Sequence, residues 1–302
     1  MKNHIKAYRA DSLLLLTAMI WGFAFVAQRA GMDHVGPFTY NAFRFALGGF
    51  SLLPLLALPV NKRKIPGRAG LKILYYGSIA GVVIFIASSF QQVGLQYTTA
   101  GNAGFITGLY VIIVPILGLL WRQKAGTGVW IGAVLAVAGM YFLSIQDGLR
   151  INHGDLLVLI CAFFFAIHVI VVGWLSPKFN AVRLSIMQFL IASALSFVVA
   201  IFREEVVMTN VLQASLPIAY GGIFSAGVAY TLQIFAQKEA PAGHAAIILS
   251  LESVFAVFGG WLILNESVTE RVIIGCALML AGMLSAQYQQ YRIRRKQTNQ
   301  PA

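Results

Sequence analysis

The chain repeats itself at a nearly fixed offset. Tyr76-Gly77 recurs as Tyr220-Gly221, Ala100-Gly101-Asn102 as Ala242-Gly243-His244, and Ala138-Gly139-Met140 as Ala281-Gly282-Met283. The offsets are 144, 142 and 143, so only small insertions separate the copies. Each copy holds five stretches apolar enough to cross a bilayer as helices. Five is odd, so the second copy enters the membrane from the opposite side. Inverted repeats of this kind are an architecture of secondary transporters, with the substrate site near the midplane between the halves.

Composition agrees. Of the 302 residues 59% are hydrophobic and 11% charged, with a mean hydropathy of +0.78. A soluble domain carries about 25% charged residues. Spans are read at 12–29, 37–60, 71–92, 98–121, 127–146, 154–174, 181–202, 214–237, 244–264 and 270–290. In lipid every backbone amide needs an internal partner, and these runs are too long for barrel strands. The expected fold is an all-α polytopic membrane protein: ten transmembrane helices in two inverted five-helix repeats, 1–148 and 149–290, then a basic tail, 291–302.

Charge orients it. With the N-terminus inside, segments between alternate spans and the two tails hold 17 Lys and Arg residues, among them Lys62, Arg63, Lys64, Arg122, Lys124 and Lys178. The other side holds four: Arg29, Arg150, Arg203 and Arg271. Positive charge on cytoplasmic loops makes both termini cytoplasmic. The net charge of +12 is thus spent on topology, and no basic tract with interleaved aromatics suggests nucleic acid. Cys161 and Cys276 lie in apolar runs and read as packing residues. The first span leads to Gln28-Arg29 without a small-residue cleavage site, so it reads as a retained helix.

Polar groups within the spans are the candidate site. Glu252 sits eight residues into its span, about 12 Å deep at about 1.5 Å per residue. A carboxylate there costs at least a few kcal/mol unless it faces protein, water or a cation. It reads as a proton-coupling or substrate-cation site, or as a structural carboxyl locking two helices. Arg44 reads as a partner of Glu252, as a binder of an anionic substrate group, or as a snorkelling side chain. Its repeat counterpart is Gln188; that of Glu252 is Tyr110. His168 is a helix-joining hydrogen bonder or a proton relay. Asn102 and His244 start equivalent spans, where helix N-termini attract anionic groups. Trp21, Phe25 and Gln28, then Tyr230, Gln233 and Gln237, then Ser88, Gln92 and Gln96 form stripes at helical spacing. Pointing inward, such stripes line a cavity for amphipathic molecules. Pairs such as Gly77/Gly81 and Gly104/Gly108 let helices approach closely. The last span of each repeat is nearly free of polar groups and is expected at the periphery or against a partner.

No P-loop, zincin motif, serine elbow or metal cluster occurs, so neither ATP drive nor a cofactor is expected. The expected partners are the bilayer, a small-molecule substrate and protons as a coupling ion, with the chain a monomer or homodimer. An intramembrane lipid or isoprenoid enzyme, and a channel or sensor, remain as other readings.

Trp21-Gly22-Phe23-Ala24-Phe25-Val26 with Arg44-Phe45 resembles the opening of the EamA family of the drug/metabolite transporter superfamily. Leu249 to Ala256, continuing through Gly260-Trp261-Leu262-Ile263-Leu264-Asn265-Glu266, resembles that family's second-repeat signature. The likeness implies ten helices, a cavity lined by spans 1–4 and 6–9, and export of amino acids, other metabolites or toxic compounds across a bacterial inner membrane. Two departures stand out. Ser253 replaces the family's proline, while Pro115 keeps its counterpart. Gln123-Lys124 stands where an acid is common, while Glu266 is retained. Small multidrug members carry a first-helix glutamate that this chain lacks.

Overall fold

A computed structural model describes residues 2–58, 67–121, 127–146 and 150–298. Of the loop positions that carry the charge bias, Lys62, Arg63, Lys64, Arg122 and Lys124 lie outside the described residues, as does Gln123. The chain runs through α1 (Lys2–Gly31), α2 (Pro37–Ser51), α3 (Gly67–Gly94), α4 (Ala100–Thr107), α5 (Tyr110–Gly118) and α6 (Thr127–Ser144). It continues with α7 (His153–Leu175), α8 (Ala181–Arg203), α9 (Met208–Gln213) and α10 (Ser215–Ala219). A π-helical stretch (Tyr220–Tyr230) leads into α11 (Thr231–Ala236), then α12 (Ala242–Leu249), α13 (Glu252–Leu264) and α14 (Glu270–Thr298). Among the described residues the only strands are β1 (Ile145–Gln146) and β2 (Arg150–Ile151), a two-residue antiparallel ladder.

Seven segments among the described residues are long and apolar enough to cross a membrane: Tyr8–Gly31, Gly70–Gly94, Ala100–Gly118, His153–Leu175, Ala181–Arg203, Ser215–Ala236 and Ala242–Leu264. The protein is therefore a multi-pass membrane protein. The helix α2 falls below that length and is extended by a 3-10 turn, Leu53–Ala57. As expected for nearly apolar helices, α6 and α14 pack along each other, outside the rest.

The remaining helices form a closed ring. Taken by main packing partners, its order is α1, α12–α13, α4–α5, α7, α3, α8, α2, the rod from α10 to α11, and back to α1. First-half and second-half helices alternate all the way round. Small residues make the close crossings. A Cβ on Gly48 would lie 2.6 Å from the Ala226 Cβ and 3.0 Å from the Gly222 carbonyl. At the matching crossing, a Cβ on Gly81 would lie 2.8 Å from the Gln188 carbonyl.

Carboxylates from the second half pin helix starts of the first half at one end of the ring. Glu204 accepts hydrogen bonds from the Phe38 and Thr39 amides (2.8 and 2.7 Å) and from Thr39 Oγ1 (2.7 Å). Gly36, lacking a side chain, leaves room for that carboxylate. Glu266 accepts from the Ala100 and Gly101 amides (2.7 and 3.1 Å). It is aimed back by Asn265, which ends α13 in the left-handed conformation at φ 53°. Helix N-termini favour such anions. Thr98 also donates to Asp155 here (2.5 Å). This is the Glu204 end; Lys178 marks the other.

Candidate functional site

Two helices break at matching places. Between α4 and α5 the backbone tightens through Val111→Gly108 and Ile112→Leu109 hydrogen bonds (3.1 and 2.9 Å). Between α12 and α13 it does so through Ser253→Ser250 and Val254→Leu251 (both 3.1 Å). These i→i+3 bonds are 3-10 geometry. The first residues after the breaks are Tyr110 and Glu252, the matched pair of the repeat. Broken helices at corresponding places of two repeats mark transporter binding sites. Packing holds the breaks together. A Cβ on Gly22 would meet Phe255 Cβ and lie 2.7 Å from the Glu252 carbonyl, and Ser253 Oγ donates to the Gly104 carbonyl (2.9 Å).

A cavity lies inside the ring beside the breaks. Its walls take Trp21 and Gln28 from α1, Arg44 from α2, Gln91 from α3, and Thr107 and Tyr110 from the first broken helix. The second half supplies Phe165 and His168 from α7, Ser225 and Tyr230 from the π-helical stretch, Gln233 from α11, and Glu252. In this state it is narrow: about 30 Å³ is open to water, room for one or two molecules.

Its charges are unspent. Arg44 is 3% exposed and Glu252 3% exposed, and neither makes an ion pair. The two therefore do not pair with each other, one of the readings open from sequence. Snorkelling is excluded too, because the guanidinium stays inside, 4.6 Å from the Phe45 ring centre and 5.6 Å from that of Tyr40. Arg44 Nε and Glu252 Oε1 have no hydrogen-bond partner. The Tyr110 hydroxyl faces the Glu252 carboxyl but makes no well-formed hydrogen bond.

Aromatic rings hold the wall between these charges. Trp21 and Tyr230 are 4.5 Å apart, and Tyr230 also meets His168 and Phe189 at 5.7 Å each. Trp21 Nε1 donates to the Ser225 carbonyl (3.2 Å). His168 Nε2 joins Gln188 Oε1 at 3.1 Å, so Gln188 stands behind the wall and steadies the histidine. Both Gln233 side-chain atoms are buried without partners. In a buried place such half-used amides, a lone cation and a lone carboxyl are costly unless a guest uses them.

Two candidates lie elsewhere. Asn102 lines a separate crevice at the Glu204 end, with Arg29, Asp33 and Glu266. His244 sits at the Lys178 end, its Nε2 2.6 Å from Asp11 Oδ1. Helix starts lie at the ends of the ring, away from its centre. Sequence reading passed over Gln91, Thr107, Phe165 and Ser225. Gln91 had a signal, since it matches Gln233 at the offset of 142.

The EamA-like transporter family model matches residues 8–145 and again 152–286. The chain belongs to this family and is a transporter. It is 34% identical over 283 residues to an uncharacterized transporter of Archaeoglobus fulgidus, covering 93% of this chain and 86% of the relative. It is 25% identical to the chloroplastic WAT1-related protein At3g02690 of Arabidopsis thaliana, over 90% of this chain and 68% of that one. A solved crystal structure superposes with a TM-score of 0.71 at 18% identity, over 94% of this chain and 98% of its own. That likeness concerns the fold alone.

Proposed function

We propose that this protein is a secondary carrier that exports amino acids or related amphipathic metabolites by alternating access. It crosses a bacterial inner membrane ten times, as two inverted repeats with both termini cytoplasmic. The single observation that carries the reading is a cavity inside the ring with a guanidinium from one half and a carboxyl from the other, both buried and without an ion pair among the described residues. A zwitterion offers the opposite charge to each, and the aromatic wall accepts its apolar part. The alternation of halves round the ring, the matched helix breaks and the two family matches support the inverted repeat. The bias of 17 basic residues against four supports the orientation. On this orientation the Glu204 end is outside.

Glu252 is the coupling group: it binds a proton or the ammonium of the substrate, but not both together. Counterflow in liposomes across a panel of amino acids and organic cations tests this. Glu252→Gln is expected to abolish proton-driven accumulation and flatten the pH profile while the protein stays folded. Unchanged, pH-dependent transport by this variant would remove Glu252 from the mechanism.

A further inference from the structure

Two glutamines bond across the ring at the two ends of the cavity. Gln92 of α3 donates through Nε2 to the Gln28 carbonyl of α1 at 3.2 Å. Gln237, directly after α11, donates through Nε2 to the Val169 carbonyl of α7 at 3.1 Å. Both side chains are buried, and in both Oε1 has no partner. The first bond lies towards the Glu204 end, the second towards the Lys178 end.

The bonds run between corresponding helices of the two halves, α3 to α1 and the end of α11 to α7. Gln92 and Gln237 are 145 residues apart, three more than Gln91 and Gln233, so they are alike in placement and not aligned residue for residue. The accepting carbonyls belong to α1 and α7, the first helices of the two halves, within about one turn of matched places.

Ring order gives the bonds their meaning. The main neighbours of α1 are α12–α13 and the α10–α11 rod, with α4 touching it more lightly; those of α3 are α7 and α8, with α2 more lightly. Thus α1 and α3 are not packed together, and neither are α7 and α11. A bond between helices that far apart in the ring crosses it, and each acceptor residue, Gln28 or Val169, is on the cavity wall. The cavity lies between them.

We propose that Gln92 and Gln237 are the two gates of the carrier, one for each face, broken in turn during transport. This rests on the alternating-access reading above. One amide-to-carbonyl bond at each end makes opening either end cost a similar amount, which suits a device that must visit both states. The unused Oε1 meets water when its gate opens, offsetting part of the lost bond.

Sidedness of water access tests this without any substrate. A Ser225→Cys reporter on the cavity wall, with Cys161 and Cys276 replaced by Ala, is labelled by membrane-impermeant thiol reagents from each side of sealed vesicles. Gln92→Leu is expected to raise labelling from the Glu204 side about five-fold, the effect of one lost hydrogen bond of typical net strength, and to leave the other side unchanged. Gln237→Leu is expected to do the reverse. Gln92→Asn and Gln237→Asn, which stay polar but fall one methylene short, are expected to reproduce the pattern should a leucine variant fail to fold. Variants that alter both sides equally, or neither, would overturn the gate assignment. Fast wild-type labelling from both sides at once would instead overturn the carrier reading.

Discussion

The carboxylates of Glu204 and Glu266 are expected to be unequal clamps, and the difference is measurable. Glu204 accepts three hydrogen bonds at 2.7–2.8 Å, two from the first amides of α2 and one from Thr39 Oγ1. Glu266 accepts two, at 2.7 and 3.1 Å, from the first amides of α4. A hydrogen bond to a charged group is worth about 1.5–3 kcal/mol, and an anion at a helix start about 0.3–1 kcal/mol. Both side chains are half-exposed, so water recovers much of this. Glu204→Ala should then cost about 3 kcal/mol and Glu266→Ala about 2 kcal/mol. At about 2–4 °C per kcal/mol for a chain of this order, the losses are roughly 6–12 °C and 4–8 °C in Tm. The neighbouring exposed Glu205 is the control, with Glu205→Ala expected within about 0.5 kcal/mol of wild type. Glu204→Gln keeps one accepting oxygen without charge and should fall midway. The assay is thermal unfolding of purified protein in mild detergent. A Glu204→Ala melting point no lower than that of Glu205→Ala would refute the clamp and the bond accounting together.

Arg44→Met is expected to leave the protein as stable as wild type, or more stable by about 1–2 kcal/mol, because a buried cation without a counter-charge is replaced by an apolar chain of similar length. The same variant should lose substrate-induced thermal stabilisation; strong destabilisation with binding intact would show Arg44 to be structural. Gly48→Ala is expected to cost about 1–3 kcal/mol in thermal unfolding through overpacking, since its Cβ would press on Ala226 and the Gly222 carbonyl. Gly70→Ala, with nothing within 4 Å of the new Cβ, should be neutral or slightly stabilising.

The centre of the site was legible in sequence because polar groups in lipid are expensive. Glu252, Arg44, Tyr110, His168, Trp21, Gln28, Tyr230 and Gln233 all reach the cavity wall. A polar or amphipathic residue in an apolar run has few stable places, and a shared interior is the main one. Gln188 came close for the same reason and supports His168 from behind. The clamps were less legible. Glu266 stood out only by family likeness, and Glu204 was not singled out at all. Its role depends on α2 beginning beside it, a long-range contact with no local signature. The helix breaks were partly hidden: Gly108 is a poor helix former, but Ser250-Leu251 carries no obvious breaker, and Pro115 falls past the first break.

Asn102 and His244 lie away from the cavity, and the proposed inverted repeat supplies a reason. An inverted repeat turns its second copy upside down about an axis in the membrane plane. Matched residues near the middle of their spans are carried towards each other, and matched residues near span ends are carried to opposite faces. Tyr110 and Glu252 obey the first half of this rule, meeting on one cavity wall. Asn102 and His244 obey the second, one at the Glu204 end and the other at the Lys178 end with Asp11. Gln92 and Gln237 are not aligned residue for residue, yet they lie between these depths and bond to Gln28 and Val169 of the cavity wall at its two ends. On the proposed reading, depth in the span sorts corresponding places by role: central ones would build one asymmetric site, intermediate ones two like gates, and terminal ones unlike faces. A substrate held between Arg44 and Glu252 would meet unlike chemistry on its two sides, because the counterparts of those residues, Gln188 and Tyr110, are uncharged. The two proposed gates carry the same chemistry, an amide bonded to a backbone carbonyl, and a cycle that returns to its start would require no more of them than to open one at a time.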